Sequence, residues 1–301
     1  IITGPNMSGK CVAGDTLVFT DRGLVEIKEL QPCPMRPDTF APCWVIVTDG
    51  MTKKIADHFY YGGFSRTIKI KTRFGFELEG TPEHRIWVRN PDGTEGWKRL
   101  DEIKIGDVVA IPRGMELWGS ETEIKSEADK LKGCKRYKLP KELSEDLAYL
   151  MGLLVGDGAL TYENGFTISA ADPAIAEEVR RITSEQFGYE ARRKSNGVDL
   201  FVSSKQIRTF LRDLGLGYWR ADSKRVPSSI LRAPRHIVVS FLRGLFDADG
   251  YVDNRYGNIE LLSASKKLAR QVQMLLLNMG IVSSLGEKKV KGKVYYRLEI
   301  T

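Results

Sequence analysis

Apolar and polar residues change their period along this chain of 301 residues. Between residues 11 and 112 they alternate in short runs such as VAGDTLVFTDRGLVEI (12–27), RTIKIKT (66–72) and DVVAIP (107–112), broken by Gly, Pro and Asp. A period of two between such breakers predicts strands and hairpins. The Pro-rich patch QPCPMRPDTFAPC (31–43) reads as a loop, and the charged, weakly periodic stretch 114–138 as a linker or a lone surface helix. From Leu139 the pattern becomes helix, strand, strand, helix. No apolar run approaches the ~20 residues of a membrane span.

The second part contains a repeat. Residues 150–158 read LMGLLVGDG and residues 242–250 read LRGLFDADG. Each nonapeptide precedes a short strand (166–169; 259–263), an amphipathic helix (174–188; 267–280) and a hairpin with a basic tip (189–204; 282–301). Asn196-Gly197 is a strong two-residue turn signal. The first copy continues into a further helix (205–215) and SKRVPSSIL (223–231), whereas the second stops at Thr301. The chain is therefore expected to be a fragment of a longer pseudo-symmetric domain.

Ser144 is expected to cap the first repeat helix, with Gly158 as its C-terminal stop; Pro234 and Gly250 bracket the other. Gly152 and Gly156 are four apart, as are Gly244 and Ala248. Small residues at that spacing leave a flat stripe on which two helices can meet backbone to backbone. Close packing explains the glycines but not Asp157 and Asp249, which end the two helices where the macrodipole disfavours an anion. Apposed stripes would add repulsion between the carboxylates. A divalent cation relieves both penalties and supplies what phosphodiester hydrolysis needs. A single Asp at a helix end is ordinarily surface decoration; two in matched repeats point to a site.

Charge sharpens this picture. The formal net charge is +7, yet residues 180–243 alone carry 14 Lys/Arg against five Asp/Glu, which favours a polyanionic partner. No export leader is recognisable, so Cys11, Cys33, Cys43 and Cys134 are expected to be reduced thiols of a cytoplasmic protein, and no C-x-x-C pair suggests zinc.

The N-terminal residues IITGPNMSGKC fit a phosphate-binding loop until the last letter. Gly4, Gly9 and Lys10 fill the frame, but Cys11 stands where a Ser or Thr hydroxyl would hold Mg²⁺. Such a loop also needs a helix directly behind it, and strands follow instead. By themselves residues 1–10 are not expected to bind ATP. Either Cys11 is a defect, or a different polypeptide begins there.

The two nonapeptides resemble the paired motifs of LAGLIDADG homing endonucleases, over residues from about 140 to 301. The resemblance implies an α+β, pseudo-symmetric αββαββα domain whose strands form a saddle in the major groove of double-stranded DNA. It implies that Asp157 and Asp249 bind the catalytic Mg²⁺ and that Lys224, in KRVP, stands beside the scissile phosphate. The matching lysine of the second half would lie beyond Thr301. Within the saddle, Arg192, Arg193 and Lys194 of one hairpin and Lys288, Lys289, Lys291 and Lys293 of the other would reach phosphates and base edges. A solvated hairpin tip is the plainer reading of each alone. Two motifs in one chain imply a monomer.

CVAGDTLV (11–18) and GTPEHRIWV (80–88) resemble the first two blocks of an intein. That implies a mostly β Hint-type splicing domain, incomplete here, at 11–118, with a linker at 119–139 and the endonuclease at 140–301. Cys11 would attack the Lys10 carbonyl while Thr81 and His84 hydrogen-bond the Lys10–Cys11 peptide, giving a thioester without any cofactor. Asp107 reads as a turn residue, and His58 and His236 as structural. The terminal intein blocks are missing, so the thioester is the furthest splicing step expected. TGPNMSGK looks like the Walker A segment of a MutS-type mismatch-repair ATPase. Residues 1–10 would then be a stub of the flanking host polypeptide, ATP a ligand of the intact host only, and the intein-less host gene the DNA target. Two alternatives stay open: a truncated or decayed intein that binds DNA without cutting or splicing, and a P-loop ATPase.

Overall fold

The computed structural model describes residues 10–161, 165–255 and 257–300. Its contacts divide the chain into two units, Ile1–Gly119 with Gln273–Gly286, and Ser120–Val272 with Glu287–Thr301. The fold is mixed α/β. Among the described residues no helix is long and apolar enough to cross a membrane.

The first unit is built from short antiparallel ladders, as the alternation predicts. Strands β1 (Leu17–Thr20), β2 (Gly23–Glu26), β3 (Thr39–Thr48) and β4 (Lys53–Tyr61) form a sheet in the order β2-β1-β3-β4. Strands β5 (Ile68–Lys71) and β6 (Glu77–Gly80) pair with each other. Strands β7 (Arg85–Arg89), β8 (Glu95–Arg99) and β9 (Val108–Val109) pair in the order β8-β7-β9. Val25, Leu30, Cys43 and Val45 make a buried cluster, and the Cys43 thiol donates to the Leu30 carbonyl at 3.1 Å. Strand alternation turns Trp44 and Ile46 to the exposed side. Gln273–Gly286 joins this unit through side chains that satisfy loop backbone: Asn278 Nδ2 donates to the Leu117 carbonyl (2.9 Å) and Gln273 Nε2 to that of Phe74 (2.9 Å).

The second unit repeats one plan. Helix α1 (Glu145–Gly156) leads into β10 (Gly158–Thr161) and β11 (Gly165–Ser169), then α2 (Pro173–Phe187), β12 (Arg192–Arg193), β13 (Asp199–Ser203) and α3 (Lys205–Asp213). After the short α4 (Ser228–Leu231), helix α5 (Arg235–Asp249) starts the second copy with β14 (Gly250–Val252), β15 (Ile259–Ser263), α6 (Lys266–Asn278), β16 (Ser284–Val290) and β17 (Lys293–Ile300). The sheet orders correspond, β10-β11-β13-β12 and β14-β15-β17-β16. Every residue from Leu147 to Gly156 is buried, because α1 is apolar around its whole circumference. Phe166, Ile168, Leu200 and Val202 fill one face of the first sheet; Leu261 and Leu298 do so in the second.

Three expectations need correction. The Pro-rich patch 31–43 is a loop only up to Asp38, because β3 begins at Thr39 and buries Cys43. Residues 119–139 are not a loose linker: Ala128 is fully buried, Ser126 Oγ and the Glu127 amide both donate to Asp213 at the end of α3, and the Tyr137 amide donates to Gln206. Gly158 and Gly250 are not left-handed helix stops but the first residues of β10 and β14, and Gly250 has an extended φ of −78°. Close approach explains these glycines, since a Cβ on Gly158 would sit 2.5 Å from the Leu154 Cα.

Candidate functional site

Cys11, Thr81 and His84 come together within the first unit. A bridge between Val12 and Gly80 lays the start of the chain along β6, and the Thr81 amide donates to the Cys11 carbonyl (2.9 Å). The reciprocal contact bears on chemistry: the amide N–H of Cys11, the nitrogen side of the Lys10–Cys11 peptide bond, donates to Thr81 Oγ1 at 3.1 Å. A turn follows, closed by the His84 amide on the Thr81 carbonyl (3.0 Å), and it buries the imidazole. Burial pulls the His84 pKa below its ordinary 6.5, and the Lys10 charge adds to that; a hydrogen bond with the Lys10 backbone opposes it. The ring is thus neutral at pH 7, and its Nδ1 is buried without a hydrogen-bond partner among the described residues.

The Cys11 thiol is pushed up from 9.0 by burial. One neighbour was invisible in the sequence: Gly62, just after β4, where a Cβ would lie 2.8 Å from Cys11 Sγ and 3.3 Å from the Tyr60 ring. Tyr60 donates to Asp38 Oδ1 (2.7 Å). No motif marks Gly62, because its closeness to the sulfur arises only from strand pairing. Gly4 and Gly9 lie outside the described residues, whereas Lys10 is half-buried. Asp107 is a turn residue that accepts from the Lys104 amide (2.8 Å) and Lys98 Nζ (2.7 Å). His58 pairs with Asp57 on exposed β4, and His236 is exposed on α5.

The second site is made by helix packing. A Cβ on Gly152 would collide with the Phe241 carbonyl, and one on Gly244 with the Tyr149 carbonyl, so α1 and α5 touch backbone to backbone. Further along, a Cβ on Gly156 would meet the Ala248 Cβ at 2.5 Å and Asp249 Oδ2 at 3.6 Å. The contact ends at Asp157 and Asp249. Asp249 is pushed up to about 6, first by burial and also by the charge and hydrogen bond of Asp157; the Lys224 ammonium opposes the shift. Lys224 Nζ donates to the Gly156 carbonyl. Its own backbone is fixed in turn: Ser265 Oγ donates to the Lys224 carbonyl (2.6 Å), and the Val226 amide donates to buried Gln271 Oε1 (2.9 Å). Asp247, two residues before Asp249, accepts instead from Tyr149 OH (2.9 Å).

Asp157 and Asp249, with the Lys224 side chain near them, form a hard, oxygen-only donor set. No cluster of three or more His, Cys, Asp or Glu suited to a metal occurs among the described residues. Mg²⁺ characteristically binds through one or two carboxylates and takes its remaining ligands from water and phosphate, so the pair fits such an ion.

The basic residues divide. Arg193 is spent on its own hairpin, donating to the carbonyls of Gly197 (2.7 Å) and Val198 (3.3 Å), and Lys194 lies 3.6 Å from Asp199. Arg181 is bound by Asp146, Glu178 and Glu185, so it adds nothing to the field that the local charge suggested. Arg192, Lys288, Lys289, Lys291 and Lys293 are exposed.

A family model described as a LAGLIDADG-like domain matches residues 144–215 and 237–301. Over 315 residues the chain is 30% identical to the replication factor C small subunit of Thermococcus kodakarensis, covering 100% of this chain and 33% of that protein. It is also 30% identical to an A-type ATP synthase subunit from Pyrococcus abyssi, covering 100% of this chain and 31% of that one. The chain thus spans about a third of the length of these curated relatives. Among solved structures, I-DmoI in complex with DNA and Mn is similar, with a TM-score of 0.39 and 21% identity, covering 53% of this chain and 90% of that one.

Proposed function

We propose that the LAGLIDADG-like domain of this chain is a homing endonuclease that cuts both strands of a duplex, carried by an intein whose splicing begins at Cys11. The observation that supports cutting most directly is the Asp157–Asp249 pair at the joined ends of α1 and α5. Asp157 and Asp249 would hold Mg²⁺, which when bound neutralises phosphoryl oxygens and makes water more acidic. Helix packing brings the two carboxylates close, and desolvation with the nearby Asp157 charge raises the Asp249 pKa to about 6. Lys224 supplies a fixed positive charge for the phosphate, oriented by its bond to the Gly156 carbonyl. The test is Mg²⁺-dependent linearisation of a plasmid bearing the uninterrupted host gene; cutting that persists in Asp157→Asn or Asp249→Asn overturns the assignment.

The splicing reading rests on the Cys11 amide bonded to Thr81 Oγ1. The Cys11 sulfur attacks the Lys10 carbonyl carbon, an S–C bond forms, the C–N bond breaks, and the thiol proton is balanced by the one gained on the Cys11 nitrogen. Thr81 holds that nitrogen, and neutral His84 stands at the Lys10 backbone to move the proton. An insertion also accounts for the relatives: two proteins with unrelated names each match the whole chain over about a third of their length, so the shared segment is not what either name denotes. The host here would be a MutS-type ATPase interrupted after Lys10, as Gly4, Gly9 and Lys10 suggest. Excess thiol should release the ten-residue stub from the wild type but not from Cys11→Ala.

A further inference from the structure

We infer that Ser265, in the second copy, is a positioning residue for Lys224, the cation that the first copy brings to the carboxylate pair. This rests on the endonuclease reading above, and it makes the geometry of one half of the site depend on the other half of the repeat.

The two copies correspond at this point. Gly158 opposes Ile168 and Gly250 opposes Leu261, and α2 and α6 each start five residues after those partners. The residues that cap the two helices are therefore equivalent, yet they differ. Asp172 accepts from the Ala174 amide at 2.8 Å, and Ser265 Oγ accepts from the Leu268 amide at 3.2 Å. Asp and Ser cap helices about equally well, but an ionised carboxylate only accepts, whereas a hydroxyl also has a proton to give. Asp172 is exposed. Ser265 is fully buried, and its proton goes to the Lys224 carbonyl at 2.6 Å. Capping is thus only half of what this hydroxyl does.

Lys224 needs such a hold. Its side chain is half-buried and adjoins a cavity of about 20 Å³ between Leu154, Gly158 and Trp219, room for about one water, so packing does not clamp it. The direction of its stem is set from the backbone. Ser265 holds the Lys224 carbonyl, and buried Gln271, also from α6, holds the Val226 amide two residues on. From that anchor the ammonium reaches the Gly156 carbonyl, one residue from Asp157. A reacting group misplaced by about 1 Å can cost on the order of a hundredfold in rate.

The experiment measures Mg²⁺-dependent cutting of a plasmid bearing the uninterrupted host gene by the full chain and four variants: Ser265→Gly, Ser265→Thr, Lys224→Met and Lys224→Met with Ser265→Gly. Glycine caps a helix with little loss but has no proton to donate. Ser265→Gly should lower kcat roughly ten- to a hundredfold with KM for the plasmid unchanged. Ser265→Thr, which keeps the hydroxyl, should restore most of the rate. In the Lys224→Met background Ser265→Gly should have no further effect, because the cation it positions is gone. If Ser265→Gly does not fold, Gln271→Met frees the same segment from its other hold and should show the same dependence on Lys224. Losses that multiply in the double variant, or a Ser265→Gly protein that cuts at the wild-type rate, overturn this inference and leave the endonuclease reading intact. A wild type that does not cut, or a Lys224→Met variant as fast as the wild type, overturns the role given to Lys224 and this inference with it.

Discussion

The two sites are built in opposite ways. At Cys11 the Lys10–Cys11 peptide bond lies beside a sheet, held by backbone pairing with the strand that leads to Thr81 and His84. At Asp157 and Asp249 nothing local holds the residues together; they meet because two helices 92 positions apart in the sequence touch through glycines. The first site depends on single hydrogen bonds and on the space that Gly62 leaves beside the sulfur. The second depends on packing, and its chemistry fails with the helix contact.

The largest separation of the two should come from the aspartates. Asp249→Asn is expected to lower DNA cutting at least about 10³-fold while leaving thiol-induced stub release unchanged. Next, Gly244→Ala forces a methyl group into the Tyr149 carbonyl and should destabilise the second unit by about 3 kcal/mol, measured by thermal or denaturant unfolding. Thr81→Val should cost only about 1 kcal/mol of stability yet, on the proposed splicing reading, slow stub release by roughly ten- to a hundredfold, because the lost bond holds the Cys11 nitrogen. Gly62→Ala should also slow release, by crowding the Cys11 sulfur, and leave DNA cutting untouched.

The smallest effect is one of pH. Asp249, raised from 3.8 to about 6, holds its proton more tightly in the folded chain than in the unfolded one. Without metal, stability should therefore fall as pH rises from about 4 to about 6 and level off above that. Asp249→Asn should flatten the slope. Mg²⁺ competes with the proton, so the thermal shift it gives should shrink below about pH 6. At the other site desolvation raises the pKa of the half-buried Cys11 thiol, so stub release is expected to keep rising into the alkaline range.

The same contrast explains what could be read from the sequence. The Ser144 cap, the doubled nonapeptide and the small-residue stripes are local patterns; Ser144 Oγ does accept from the Leu147 amide at 3.2 Å. The association of Thr81 and His84 with Cys11 was legible because a short motif carries both. What stayed hidden depends on chain segments that meet only after folding. Gly62 beside the Cys11 sulfur carries no signature, and residues 119–139 gain their order from Asp213 and Gln206 on α3. Arg193 and Arg181 counted toward a basic surface, but their partners are a turn's carbonyls and three carboxylates. Charge counted along a sequence cannot separate such spent cations from free ones.

The central claim is that one chain carries two independent chemistries. Its most direct test assays stub release and Mg²⁺-dependent duplex cutting side by side for the wild type, Cys11→Ala and Asp249→Asn. The account predicts that Cys11→Ala loses release and keeps cutting, and that Asp249→Asn does the reverse. A variant that loses both activities, or neither, would contradict it.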